Sequence, residues 1–212
     1  TEEKIYETLG LQYVPPELRE DTGEIETAKE HNLPNLITRA DIISDLHMHT
    51  TYSDGKQTIR EMAEACKARG HRYIVITDHS RSLGIANGLS IERLMEQMEE
   101  VHQVNEAMGD DFHIFTGTEM DIKADGTMDY PDEILEKLDF VIASLHVSLQ
   151  QKRDQITERL LNAIQNPHVD MIGHPSARQI PTREPVDADW DAVLKAAAET
   201  NTILEINANP IR

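Results

Sequence analysis

Cysteine is nearly absent from this chain. Cys66 is the only one, so no internal disulfide can form and nothing asks for an oxidising compartment. Also lacking are an apolar run long enough to cross a bilayer and a basic start followed by a short greasy segment. The expected compartment is therefore the cytoplasm, with no membrane partner. Positive charge is scarce: 20 Lys and Arg face 39 Asp and Glu, a formal net charge of −19. That balance excludes a broad basic surface that would hold nucleic acid by neutralising its phosphates. Two routes to a phosphate remain: divalent ions in an acid and histidine pocket reverse the local sign, or an attached basic domain does the holding. For most of the acidic side chains, solubility is reason enough. No G-x-x-x-x-G-K-[ST] loop, G-x-S-x-G elbow or dinucleotide-binding glycine pattern occurs, which disfavours nucleotide switching, serine hydrolysis and hydride transfer.

The 212 residues suffice for one barrel-type core plus an extension. Residues 1–40 stand apart, with a charged proline turn at Pro15-Pro16-Glu17-Leu18-Arg19-Glu20-Asp21 and a second breaker at Asn32-Leu33-Pro34-Asn35. They read as a linker carrying a short helix. From Asp41 onward, helical periodicity predicts helices over 58–69, 91–108, 132–137, 153–166 and 189–200, the second capped by Ser90 alone. Six strand-like stretches alternate with them, which implies parallel strands joined by right-handed crossovers. Closing a barrel takes at least one more strand, and the sequence reaches Arg212 just after the sixth.

Each of the six stretches finishes on a residue that can hold a metal ion. The first ends in Asp45-Leu46-His47-Met48-His49; later ones run into Asp78 and His79, Glu119, His146, His174 and Asn207. Polar ligands at strand ends, separated by helix-length segments, are what a barrel enzyme gathers at one mouth. His47 and His49 lie two apart on extended backbone and project to the same side, as does Asp45. Asp54-Gly55 offers a carboxylate in a glycine turn, which is also what an ordinary turn contains. Of ten histidines, His31, His71, His102, His113 and His168 fall away from strand ends and are assigned to surface, capping or packing. Imidazole with carboxylate suits zinc, manganese or iron, and Glu119, central among the histidines, is placed to bridge two ions. Glu205 reads better as a barrel residue satisfying a neighbour. Asp121, Asp125 and Asp129 resemble a ligand run, but Lys123-Ala124-Asp125-Gly126 reads better as a hairpin turn. Cys66, Trp190 and Ala196-Ala197-Ala198 look like packing, and Arg81, Arg178 and Arg183 are solvated arginines or phosphate contacts.

Asp45-Leu46-His47-Met48-His49-Thr50, Ser53-Asp54-Gly55, Thr77-Asp78-His79-Ser80 and Gly173-His174-Pro175 resemble the motifs of the PHP (polymerase and histidinol phosphatase) superfamily. Leu83-Gly84-Ile85-Ala86-Asn87-Gly88-Leu89, Asp129-Tyr130-Pro131-Asp132, Val141-Ile142-Ala143-Ser144-Leu145-His146 and Leu204-Glu205-Ile206-Asn207-Ala208 are similar to the PHP domain of bacterial and archaeal family X DNA polymerases. The resemblance implies an α/β fold, a distorted seven-stranded β/α (TIM-like) barrel over residues 41–212, cut short before its last strand. Residues 1–40 would be the link from a polymerase thumb. It also implies up to three divalent ions, Mn²⁺ or Zn²⁺. His47, His49 and Glu119, the catalytic set, match the ligands of one ion; Glu119, His146 and His174 match a second; Asp54 and His79 match part of a third. A final Asp-x-His, completing the first and third sites, would lie beyond Arg212. The implied activity is that of a 3′→5′ exonuclease acting on DNA 3′ ends in repair, beside the polymerase domain of the same protein. A histidinol-phosphatase-like phosphomonoesterase and a non-catalytic, metal-stabilised scaffold remain as alternatives.

Overall fold

The computed structural model describes residues 1–207. Ala208 and the expected seventh strand lie outside the described residues. The chain divides into two compact units, Thr1–Ile42 and the remainder from Ile43. The first unit holds two short helices, α1 (Glu2–Thr8) and α2 (Glu24–Lys29), where the sequence suggests one. Pro16 opens a 3₁₀ turn over Pro16–Leu18, and Gly23, at φ 102°, starts α2. A hydrogen bond from Gln12 N to the Ala28 carbonyl (3.0 Å) ties the segment after α1 to α2.

The second unit alternates strand and helix throughout. Its strands are β1 (Ser44–Met48), β2 (Tyr73–Ile76), β3 (His113–Asp121), β4 (Phe140–Ser144), β5 (Met171–Gly173) and β6 (Ile203–Leu204). Helices α3 (Ile59–Ala68), α4 (Ile91–Met108), α5 (Asp132–Leu135), α6 (Arg153–Gln165) and α7 (Trp190–Thr200) follow the predicted segments closely, with α5 stopping at Leu135 rather than 137. Local chemistry explains the boundaries. Thr58 and Glu61 form a reciprocal capping box at the start of α3, the Ser90 hydroxyl accepts from Arg93 N at the start of α4, and Gly109, at φ 79°, ends α4.

All five strand pairings are parallel, and the strands lie in chain order, curling into an open half-barrel. Because every strand runs the same way, all their C-terminal ends and the loops that follow reach one edge of the sheet. The β2–β3 register carries past the end of β2: His79 bridges to Glu119, and Ser80 N donates to the Glu119 carbonyl (3.0 Å). This sets two candidate ligands side by side through backbone alone. Two apolar clusters hold the helices on the sheet. One joins Ile59, Ala63 and Cys66 of α3 to Ile74, Ile76 and Val101; the other packs Leu94, Leu160 and Val193 against Met120, Val141 and Ile172. Cys66 and Ala197 pack as expected, whereas Ala198 is exposed. Among the described residues no helix is long and apolar enough to cross a membrane.

Gly117 of β3 has no room for a side chain: a Cβ there would stand 2.6 Å from the Phe140 carbonyl oxygen and 2.7 Å from Val75 Cγ1. Gly117→Ala is expected to lower unfolding free energy by about 1–3 kcal/mol in urea denaturation. Gly84→Ala, which would meet nothing within 4 Å, is expected to change it by less than about 0.5 kcal/mol.

Candidate metal centre

Glu119 is almost fully buried, 1% exposed, near the C-terminal end of β3, and five imidazoles converge on its carboxylate. On Oε1 lie His174 Nε2 (2.8 Å), His146 Nε2 (3.2 Å) and His47 Nε2 (3.3 Å). On Oε2 lie His79 Nδ1 (3.0 Å) and His49 Nε2 (3.5 Å). The rings form a closed circle, with neighbouring centroids between 4.3 Å (His49 stacked on His79) and 5.8 Å (His47 and His174). Each comes from the end of a different strand, except His47 and His49, which share β1 and its exit. They line a cavity of about 380 Å³ with Asp54, Glu205 and Asn207. The structure thus brings together the seven residues that the family resemblance matched to metal ligands, His47, His49, Asp54, His79, Glu119, His146 and His174, while Asp45 stays outside the cavity. His31, His71, His102, His113 and His168 stay outside the cavity.

Among the described residues two groups have donor atoms close enough to share an ion: His47, Glu119 and His174, and His49, His79 and Glu119, each within 4.8 Å. These groupings divide the His47 and His49 pair between the two oxygens of Glu119, where the family resemblance keeps the pair on one ion. Nitrogen and carboxylate oxygen, with no thiolate nearby, form the donor set of zinc or manganese. His49 Nδ1 and His174 Nδ1 are buried with no hydrogen-bond partner among the described residues. The two clusters sharing Glu119 can therefore hold divalent metal ions.

Asp78, which follows β2, is not in this cavity. Its carboxylate accepts from Thr50 N and Thr50 Oγ1 (both 2.7 Å), Ser53 N (3.1 Å), Ser53 Oγ and Gln97 Nε2. Its role is to clamp the loop after β1, so that Asp54 is offered at the mouth. A Cβ on Gly55 would stand 2.7 Å from Thr50 Cα, so the tightness of this turn requires glycine. Asp54 is half exposed, 3.7 Å from His79 Nε2 and 4.0 Å from His49 Nδ1.

Two acidic residues that sequence reasoning set aside stand directly behind the histidines. Asp121 is the last residue of β3, not part of the hairpin turn, and its Oδ1 lies 2.7 Å from His146 Nδ1. Its position two residues after Glu119 is the signal: on a strand the two point to the same face. Glu205 Oε1 lies 2.8 Å from His47 Nδ1, and Glu205 Oε2 accepts from His174 N (2.6 Å). Asp125 does sit in the turn, accepting from Thr127 N, while Asp129 accepts from Ser82 N (2.8 Å) and from Arg81. Arg81 is thus tied to its neighbour, and Arg183 donates through Nε to the Ala177 carbonyl (2.6 Å).

The protons follow from these contacts. Burial alone would lower the His47 imidazole, but hydrogen bonds to Glu119 and Glu205 outweigh it and raise the group from 6.5 to about 10. His146 is pulled down by burial and pushed up more strongly by Asp121 and Glu119, reaching about 9. His49 has no such backing and is lowered, by burial first and then by the neighbouring His79 and His47. Burial pushes Glu119 up, yet its histidine partners hold it well below the ordinary carboxylate value.

Comparison with known proteins places these residues in context. The model of the PHP domain family matches residues 45–209. Over 212 residues the chain is 47% identical to the DNA polymerase/3′-5′ exonuclease PolX of Bacillus subtilis, covering all of this chain and 37% of that protein. It is 35% identical over 175 residues to a protein named "Probable phosphatase" of Thermoanaerobacter sp., covering 78% of this chain and 64% of that one. The chain thus spans a little over a third of the polymerase relative and under two thirds of the phosphatase relative. A crystal structure described as a histidinol phosphatase from Listeria monocytogenes aligns with a TM-score of 0.60 at 13% identity, covering 78% of this chain and 82% of that one. That likeness is one of fold.

In the metal-stripped protein, the stability drawn from the His47 and His146 pairs is complete below the ordinary imidazole value of 6.5. It is lost as pH rises through about 9 and about 10, where the folded-state groups deprotonate. The melting temperature of the metal-stripped chain is therefore expected to fall between pH 8 and pH 10.5. Ring-proton NMR should show His47 and His146 titrating above 8 and His49 below 6.5; a common value near 6.5 for all three would contradict this geometry.

Proposed function

The chain belongs to the PHP family, and on that premise we propose that it is a metal-dependent phosphoesterase acting as a 3′→5′ exonuclease on DNA 3′ ends. The observation that carries the reading is the meeting of five imidazoles on the two oxygens of one buried carboxylate. Identity of 47% to the exonuclease-bearing polymerase across the whole of this chain supports DNA as the substrate. In the same reading residues 1–40 link the domain to a polymerase domain, and the two serve repair synthesis together.

His47, His49 and Glu119 would hold one ion, Glu119, His146 and His174 a second, and Asp54 with His79 part of a third. Bound ions supply an activated water and positive charge against the phosphate and the leaving oxygen. The chain's own part is preparation. Glu119, kept ionised by its neighbours, presents one oxygen to each half of the site. The strand ends hold the imidazoles in place before substrate arrives, and no side chain has to act as nucleophile. At about 380 Å³ the cavity takes a phosphoryl group with its nearest atoms, at the small end of ligand pockets, which run from about 300 to 1,000 Å³.

A second reading, a phosphomonoesterase for a small phosphate ester, draws on the 35% identity to the Thermoanaerobacter protein. One assay separates the two: the chain with Mn²⁺ is offered a 3′-recessed duplex and, separately, histidinol phosphate. Release of mononucleotides from the duplex, lost on chelation and restored by Mn²⁺, is the expected result. Glu119→Gln and His47→Ala should each slow it by about 10²–10³-fold. Turnover of histidinol phosphate alone would establish the second reading, and nucleotide release unaffected by either substitution would overturn both.

A further inference from the structure

The two oxygens of Glu119 face differently prepared halves of the centre. On the Oε1 side two of the three imidazoles are gripped from behind by carboxylates: His146 Nδ1 by Asp121 Oδ1 at 2.7 Å, and His47 Nδ1 by Glu205 Oε1 at 2.8 Å. The grips are themselves held. Asp121 is 1% exposed, receives Ser82 Oγ on its Oδ2 (2.8 Å), and donates its backbone N to Ser80 Oγ (3.0 Å). Glu205 Oε2 accepts from His174 N (2.6 Å), a residue whose φ of 29° lies in a region that side chains rarely adopt. One carboxylate thereby fixes the ring of His47 and the backbone of His174 together. Among the described residues the Oε2 side has no counterpart. His49 Nδ1 is buried without a partner, and the contacts of His49 and His79 to Asp54 are 4.0 and 3.7 Å, beyond hydrogen-bond reach.

We propose that Asp121 and Glu205 are positioning residues that fix His146 and His47 as Nδ1-protonated imidazoles with Nε2 turned to the centre, so that each of these two rings holds its ion more tightly than an unbacked ring would. The proposal rests on the reading of this cavity as a metal centre. The physical ground is general: a neutral imidazole has two tautomers and two ring orientations, and an acceptor on one nitrogen leaves the other free and aimed. A carboxylate behind the ring also makes it a better donor to a cation. An unbacked ring must be ordered by the ion itself, which weakens binding.

The test is titration of the metal-stripped chain with Co²⁺ and Mn²⁺ against a chelator of known affinity, for wild type, Asp121→Asn, Glu205→Gln and Asp54→Asn. Asp121→Asn and Glu205→Gln should each weaken binding of the ion held by the backed ring by about 10–100-fold, whereas Asp54→Asn, at a residue that stands behind neither ring, should leave that binding within a factor of three. Long-range ¹H–¹⁵N spectra of the Zn²⁺-loaded chain should show His47 and His146 protonated at Nδ1, and mixed tautomers in the two variants. Should either variant fail to fold, Ser82→Ala removes a donor to Asp121 without touching a histidine, and a smaller weakening of binding of the ion held by His146 is expected. Equal affinity in wild type, Asp121→Asn and Glu205→Gln, with two ions bound, would overturn the proposal and leave the metal centre standing. No ion bound by wild type would remove the reading beneath it.

Discussion

A carboxylate taken out of water needs positive charge or hydrogen bonds around it, since an unpaired buried charge costs several kcal/mol even after the protein relaxes. Glu119 is such a group, and its environment is built almost wholly from imidazoles, each a hydrogen-bond donor or a cation according to its proton count. The same five rings that satisfy the acid can, once stripped of their inward protons, turn lone pairs toward a metal ion. Proton and metal thus compete for one set of atoms. This is why the rings with carboxylates behind them carry raised values and the unbacked His49 a lowered one.

The rest of the fold keeps those rings in register. Parallel strands in chain order bring every strand's C-terminal end to one edge, and the His79 to Glu119 bridge extends that order one step beyond β2. Loops leaving the strands are fastened by buried polar groups. Asp78 gathers the turn that carries Asp54. The guanidinium of Arg159, 2% exposed, binds the carbonyls of Ile122 (2.6 Å), Val147 (3.1 Å) and Ser148 (3.3 Å), tying the exit from His146 to the end of β3. Its hydrogen-bond acceptors among the described residues are these carbonyls and the Gln151 amide, so this buried arginine serves to hold loops. Burial pulls its affinity for the proton down.

A chain with a net charge of −19 is a poor match for a polyanion unless something reverses the sign where contact occurs. Asp54, Glu119, Asp121 and Glu205 are gathered in and behind one cavity, and divalent ions there would convert an anionic hollow into an electropositive one. Affinity for a phosphate would then come from the ions. This ties the likeness to PolX to the chain's own chemistry rather than to a basic groove, which its composition does not supply.

Strand and helix order, the strand-end position of Glu119 and of the candidate histidines, and the separation of five site histidines from five others can all be read from spacing, because period two and period 3.6 are local properties of the chain. Glu119 stands out as a bridge because it is a strand-end acid central among the histidines. What spacing could not convey was partnership. Asp121 belonged by alternation to the face of Glu119, but its nearness to the turn residues disguised it; Glu205 lies 158 residues from the imidazole it holds. Nor could the sequence apportion five imidazoles between two oxygens of one acid, since that depends on the curl of the sheet and on ångström-scale distances between strand ends. Residue identity and periodicity are written along the chain, whereas which nitrogen faces which oxygen is settled only when distant segments pack.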